Sequence, residues 1–200
     1  MKTIVNPWPV SLAVAALILG SVACPTGWAS DRDDIVAQFN SLKSTNPEFR
    51  IDLWTTSTKQ AFNVNDKLEL SFKADRDCYV YIIDIPTGGE APTVLFPNEW
   101  DRSNKVEAGK TYTLPFQGSE YKLSITGPAG TETIKAIATV DPLPEFDSQV
   151  GKQLAAKAGF ARLKDARLVR KAITVELKED VGPQQERRVW TETSLSFQVH

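Results

Sequence analysis

One polar stretch of the sequence, residues 98–102, combines acidic side chains with an aromatic one. Glu99 and Asp101 flank Trp100, and Arg102 follows them. A glycosidase needs two carboxylates at a fixed separation in a cleft, so a carboxylate-based carbohydrate-active enzyme is one hypothesis for this stretch. A solvated loop is the alternative, in which Trp100 anchors a partner or stacks on a sugar. A third interpretation is that Trp100 folds back onto the edge of a sheet.

A second group of candidate residues forms the basic cluster of the chain. Such a cluster can meet an acidic protein partner or anionic lipid head groups. It can also be no more than a solvated face, which is the usual meaning of a charge run. The cluster consists of Arg162, Lys164, Arg167, Arg170 and Lys171.

The sequence lacks the residues that most other kinds of active site or metal site require. His200 is the single histidine and the last residue, so neither a Ser-His-Asp site nor a zinc site is indicated. No phosphate-binding or dinucleotide-binding glycine motif occurs. Calcium at Asp75 and Asp77, or at Asp101 and Asn104, would lack the full alternating ligand series. The sequence therefore indicates no cofactor and no catalytic residue.

The balance of acidic and basic residues indicates which classes of partner the protein can bind. The chain of 200 residues has 23 Lys and Arg against 25 Asp and Glu, a formal net charge of −2. A general nucleic-acid binder needs an excess of basic residues to displace counterions from phosphates. We therefore expect no nucleic acid among the partners. The signal-like first 30 residues favour another protein of the cell envelope as the partner instead. Contact with a glycan remains an open alternative.

The first 30 residues have the pattern of a secretory signal peptide. Residues 10–23 form a short uncharged apolar run, and Gly27 and Ala29 are small residues suited to cleavage before Ser30. Residues 1–29 would then be removed, leaving one domain over 30–200 in the periplasm or cell envelope. Alternatively, cleavage after residue 23 would leave Cys24 lipidated, which would tether the protein to a membrane surface. Cys78 lies in an apolar run and is predicted to be a buried thiol.

Short alternating segments at intervals of about ten residues predict an antiparallel β-sandwich. The segment Tyr79–Ile85 is apolar on both faces, which indicates a central strand. A short helix with Ile35, Phe39 and Leu42 on one face precedes the strands. A second helix, capped by Asp147 or Ser148, is expected before the last two strands. The predicted strands are residues 49–53, 68–72, 79–85, 93–96, 111–116, 121–126, 133–140, 172–177 and 193–199.

Six short motifs follow one another over about residues 62–140. They are residues 62–66 (FNVND), 75–81 (DRDCYVY), 94–98 (VLFPN), 108–110 (AGK), 114–115 (LP) and 127–132 (GPAGTE). In this order they resemble the bacterial "domain of unknown function 4384" family. Asn65 and Cys78 stand where the family usually has Gly, and Asn tolerates the left-handed conformation that a Gly there would adopt. The resemblance implies an Ig-like, extracytoplasmic module with no defined catalytic residues.

The sequence thus predicts a mainly β protein, an antiparallel Ig-like β-sandwich with a short N-terminal helix and one inserted helix. The hypothesis for its function is a non-catalytic binding or scaffold module of the envelope. A carbohydrate-active enzyme and a structural accessory subunit of an envelope assembly are the alternatives.

Overall fold

The computed structural model describes residues 27–57, 59, 61–86, 88, 90–156, 159–169, 171, 173, 177 and 188–200. The described chain is mainly β. Its helices are α1 (Gly27–Ser41), α2 (Pro144–Ala155) and α3 (Ala166–Val169). Its strands are β1 (Ile51–Thr55), β2 (Ala61–Phe62), β3 (Lys67–Leu68), β4 (Leu70–Ala74), β5 (Cys78–Ile85), β6 (Thr93–Phe96), β7 (Lys105–Val106), β8 (Thr111–Leu114), β9 (Leu123–Ser124), β10 (Gly130–Thr139), β11 (Ala161–Arg162) and β12 (Trp190–Val199).

Two sheets pack face to face, as the period-two alternation predicts. The small sheet has the strand order β1-β4-β8. The large sheet has the order β11-β6-β5-β10-β12-β2, with β7 also pairing β5. A two-stranded pair, β3 and β9, is hydrogen-bonded to neither of these sheets. Neighbouring strands are antiparallel except for the short parallel pair of β12 and β2.

The inner core lies between the two sheets. Val80 and Ile82 of β5 are fully buried there and belong to the same cluster as Phe72 of β4. The rings of Phe72 and Phe96 lie 5.7 Å apart across this core. Cys78 is 1% exposed in the same layer, and burial raises the pKa of its thiol to about 12, with smaller contributions from Asp77 and Asp75. Cys78 is therefore a buried small hydrophobe, as predicted.

The helices cover the outer face of the large sheet and form a second core. Tyr81 and Ile83 alternate with the inner residues of β5 and pack with Phe39 of α1 and Phe146 of α2. The Tyr81 and Phe146 rings are 5.2 Å apart in an edge arrangement. The two-sided burial that the sequence predicts for β5 is thus confirmed, because a helical layer covers the second face.

A buried ion pair fixes the end of α1 to this outer face. Lys135 of β10 is 2% exposed, and its Nζ donates to Glu192 Oε2 at 2.8 Å and to the Leu42 carbonyl at 3.0 Å. Burial lowers the pKa of Lys135, while the hydrogen bond and charge of Glu192 oppose that shift. The lysine is therefore compensated, as a buried charge must be.

Two sequence predictions about secondary structure need correction. Helix α2 begins at Pro144 rather than at a cap on Asp147 or Ser148, because proline at the first helical position gives up an N–H that has no intrahelical partner. The predicted strand over 172–177 is wrong at Ile173 and Leu177, its two described residues, which are buried and have helical backbone.

Other predictions are confirmed or lie outside the described residues. Asn65 has φ 72°, the left-handed conformation expected at this position. Residues 1–26, which include Cys24, are outside the described part of the chain, as is Arg170. Within the described residues, none of the helices has the length and apolar character to cross a bilayer.

Candidate interaction surface

The loop of residues 97–102, called here the Trp100 loop, is organised by one buried amide. Asn98 follows β6 and is 0% exposed. Its Nδ2 donates to the Leu95 carbonyl at 3.0 Å, and its Oδ1 accepts the N–H groups of Trp100 at 2.9 Å and Asp101 at 2.8 Å. The Asn98 N–H donates to the Asp101 carbonyl at 3.1 Å. These bonds fix the backbone that carries Trp100.

The Trp100 loop is also tied to the segment after α2. The Glu99 N–H donates to the Gly159 carbonyl at 2.9 Å, and the Gly159 N–H donates to Glu99 Oε2 at 3.0 Å. Arg102 donates from Nε to the Glu99 carbonyl at 3.2 Å and from Nη2 to the Leu154 carbonyl at 3.4 Å. Two of the predicted surface residues, Glu99 and Arg102, therefore position the loop.

Three aromatic rings meet where the loop and this segment join. Trp100 stacks on Tyr121 with ring centroids 4.9 Å apart and an interplanar angle of 24°. Phe160 contacts both, at 5.6 Å from Trp100 and 5.5 Å from Tyr121. Trp100 nevertheless remains 42% exposed. It therefore combines the two interpretations of the sequence: it packs against neighbouring rings and still presents part of its ring to solvent.

The Tyr121 hydroxyl fixes the remaining acid of the loop. It donates to Asp101 Oδ2 at 2.9 Å. Burial is the main reason that the pKa of Tyr121 is raised, and the hydrogen bond to Asp101 adds to it. Tyr121 thus stays a neutral donor, and the carboxylates of both Glu99 and Asp101 are held by donors.

The predicted basic residues lie beside a groove between α2 and residues 160–169, called here the α2 groove. Its volume is about 720 Å³. Arg167 is exposed on α3, and Lys171 forms an ion pair with Glu145 at 3.6 Å. Leu168 is 47% exposed at the groove. The residues that line it include Gln149, Gln153, Phe160, Arg162, Lys164 and Leu168.

The structure joins the two candidate patches into one surface. Phe160 contacts Trp100 and also lines the α2 groove. Arg102 reaches the last turn of α2 through the Leu154 carbonyl. Residues 99–102 and residues 162–164, about 60 positions apart in sequence, are therefore neighbours on the molecule. We call this continuous area the joint surface.

A pair of acids that the sequence did not indicate lies at the far end of β5. Asp84 lies opposite Ile134, two residues from Glu132, so the two carboxyls share the inner face of the large sheet. Glu132 is 8% exposed, and Asp84 Oδ1 is buried without a hydrogen-bond partner in the described structure. Burial, then the charge and hydrogen bond of Glu132, raise the pKa of Asp84 to about 8. Only the strand register, which sequence does not reveal, could have shown this pair.

The acids considered for calcium have other roles in the structure. Asp75 Oδ1 accepts the Arg50 N–H at 2.8 Å, and Asp77 Oδ1 accepts the Ala108 N–H at 2.7 Å. Both acids thus hold neighbouring loops. Among the residues that the structure describes, no group of three or more His, Cys, Asp or Glu side chains could hold a metal ion.

Comparison with known proteins identifies one family. Residues 61–142 match the model of the family described as "Domain of unknown function (DUF4384)". The match runs from β2 past the end of β10 and includes Trp100 and Tyr121, whereas Phe160, α2 and β12 lie outside it. No curated protein matches the chain. Residues 61–142 are therefore similar to the DUF4384 family, as the resemblance in the sequence predicts.

Proposed function

We propose that this protein is a non-catalytic binding module of the bacterial cell envelope and that it binds through the joint surface. One observation carries the proposal: Trp100 is 42% exposed on a loop whose polar groups are bonded to hold it in place. An exposed indole on a fixed backbone offers a large contact area at a small cost in conformational entropy.

The chemistry of the surrounding groups supports binding rather than catalysis. A carboxylate that acts as acid or base must reach a reacting group. Glu99 accepts a hydrogen bond from Gly159, and one oxygen of Asp101 accepts one from Tyr121, so both acids help to fix the loop.

Export is supported by the sequence of residues 1–29. An uncharged apolar run followed by small residues is the signature of a signal peptide. We infer that the module acts outside the cytoplasm, and lipidation of Cys24 would place it at a membrane surface.

Photo-crosslinking in intact cells tests this proposal. A photoreactive amino acid replaces Arg162 or Lys164, both exposed on the joint surface, and in a matched control it replaces Lys73, which is exposed on β4 of the small sheet. We expect defined crosslinked products from the two joint-surface positions and none from Lys73. Products of equal yield from all three positions, or from none, would contradict the proposal.

A further inference from the structure

We propose that the open part of Trp100 is a sugar-binding subsite that takes an uncharged or amino-substituted pyranose ring of an oligosaccharide. The inference rests on the proposed function, because it names the class of ligand that binds at the Trp100 end of the joint surface. It is carried by the geometry of the ring and by the side chains of the adjacent groove.

The environment of Trp100 leaves part of the indole open. Tyr121 covers one face, at 4.9 Å and nearly parallel. The six-membered ring lies close to Gly159, since a Cβ added to the glycine would come within 3.3 Å of Trp100 Cη2. Phe160 also contacts the indole, with centroids 5.6 Å apart, and Trp100 is still 42% exposed and lines a groove with residues 116–120. An indole face carries partial negative charge and attracts partially positive hydrogens. The C–H groups on one face of a pyranose have this character because each carbon bears an oxygen.

Polar side chains border this open side. A groove of about 450 Å³ runs beside Trp100. It is lined by Asp101, Gln117, Ser119 and Glu120, and the turn at Gly118 has φ 84°. These side chains supply carboxylate, amide and hydroxyl groups, which pair with sugar hydroxyls. An apolar platform with a few placed polar groups is the usual composition of a small-ligand site.

The polar groups of this groove are free to bind a ligand. Asp101 Oδ2 accepts the Tyr121 hydroxyl. In the part of the chain that the structure describes, Asp101 Oδ1 and the side chains of Gln117, Ser119 and Glu120 make no hydrogen bond. In contrast, the polar groups of Asn98 just behind them are committed to the loop. The groups that could reach a ligand are thus the uncommitted ones.

The charge of the groove selects among ligands. Its lining includes two acids, Asp101 and Glu120, and no basic residue. Their negative charge disfavours an anionic sugar, a phosphate or an anionic lipid head group in this groove. A protein hot spot would need a larger apolar centre than one indole and the half-buried Phe116 provide. Neutral and amino sugars satisfy both conditions.

The test is a titration of the purified exported protein, monitored through the NMR signals of its tryptophan indole N–H groups. The probes are cellohexaose, maltohexaose and chitohexaose, each raised to about 10 mM so that millimolar affinities are detected. Trp100→Phe assigns the Trp100 signal. We expect at least one oligosaccharide to shift that signal and to leave the Trp54 signal unchanged.

Two variants locate the contact. Gln117→Ala should weaken binding by roughly threefold to tenfold, about the value of one polar contact, and Trp100→Ala by more than about tenfold. Trp54→Ala is the matched control, since Trp54 is 37% exposed on β1 of the small sheet, and it should bind like the unmodified protein. Isothermal titration calorimetry measures these affinities, because Trp100→Ala lacks the Trp100 signal, and circular dichroism reports whether the fold of each variant is intact.

Three results would overturn the sugar inference. They are no shift of the Trp100 signal with any probe, an equal shift of the Trp54 signal, or undiminished binding by Trp100→Ala. If the titration fails while positions 162 and 164 crosslink in cells to an unglycosylated protein, the sugar inference is wrong and the joint surface still binds a partner. If the crosslinking also fails, the proposed function is wrong with it.

Discussion

The Trp100 loop and the far end of β5 differ in how they accommodate buried polar side chains. In the loop, Asn98 is 0% exposed and its amide makes three hydrogen bonds. At the end of β5, Asp84 lies beside Glu132, and Asp84 Oδ1 has no partner in the described structure. In one region the buried amide is hydrogen-bonded and the loop carries an exposed aromatic ring. The other region holds two acids in contact.

The two regions differ in what their buried polar groups stabilise. A buried polar network that is fully satisfied makes a backbone rigid, whereas a partly satisfied one costs free energy. The bonds of the Trp100 loop stabilise an arrangement whose visible result is the position of one indole. The acid pair carries a free-energy cost that depends on pH.

Of the substitutions in these two regions, Asn98→Ala should lower the free energy of unfolding most. It removes three hydrogen bonds and leaves the Leu95 carbonyl and two N–H groups in the loop without their partner. We expect the free energy of unfolding to fall by about 2–4 kcal/mol. Urea unfolding monitored by circular dichroism measures this change. Asn63→Ala, at an exposed turn, is the control, and an equal effect of both substitutions would contradict the role given to Asn98.

Asp84→Asn should have the next largest effect, and it should depend on pH. The folded pKa of Asp84 is raised to about 8 from 3.8, so the folded protein holds a proton that the unfolded chain releases. The associated stability is complete below about pH 4 and is lost as the pH rises through about 8. Asparagine mimics the protonated acid and can donate to Glu132. The variant should therefore be more stable than the unmodified protein at pH 8, by roughly 1–3 kcal/mol.

The control for this prediction is Glu90→Gln. Glu90 is exposed, and its charge is the smallest of the contributions to the raised pKa of Asp84. Urea unfolding of the three proteins at pH 5 and pH 8 makes the comparison. A gain in stability from Asp84→Asn that is the same at both pH values would show that the acid pair does not titrate as described.

Gly159→Ala should have a smaller effect that bears directly on Trp100. Gly159 has φ 69°, which costs an alanine about 1 kcal/mol, and the added Cβ would press on the indole at 3.3 Å. Gly151→Ala is the control, because Gly151 lies within α2 with open space around it, and alanine there should stabilise the helix by about 0.5–1 kcal/mol. Tryptophan fluorescence should change for Gly159→Ala and stay unchanged for Gly151→Ala. Equal stability changes would contradict the packing described at Trp100.

Local patterns in the sequence predict much of the sheet and the burial of α1. Period-two alternation indicates strands, and two-sided apolar character indicates the central position of β5. The start of α2 is harder to predict, because Pro144 closes a proline-containing stretch that resembles a break, although proline is favoured in the first turn of a helix. Apolar and polar residues alternate over residues 173–177, as in a strand. Ile173 and Leu177 are also four residues apart and both lie in the outer core, which fits one face of a helix.

The sequence predicts the residues of the joint surface but not the contacts between them. The residue types of both patches are visible in the sequence, because aromatic and charged side chains in a turn-rich stretch indicate exposure. Their contact through Phe160 and Gly159 is tertiary and leaves no local signal. The pairing of Asp84 with Glu132 likewise depends on the register of β5 and β10. The sequence therefore indicates the candidate residues, and only the tertiary structure shows which of them are in contact.

The most direct test of the joint surface compares two tryptophans in one unmodified protein. Trp54 and Trp100 are similarly exposed, 37% and 42%, so hydroxyl radicals should oxidise them at similar rates in the purified protein. The oxidation of each is measured by mass spectrometry, once on purified protein and once after labelling intact cells. If the joint surface is occupied in the cell, oxidation of Trp100 relative to Trp54 should fall severalfold there. An unchanged ratio would show that Trp100 is as open in the cell as in isolation, which would contradict the account.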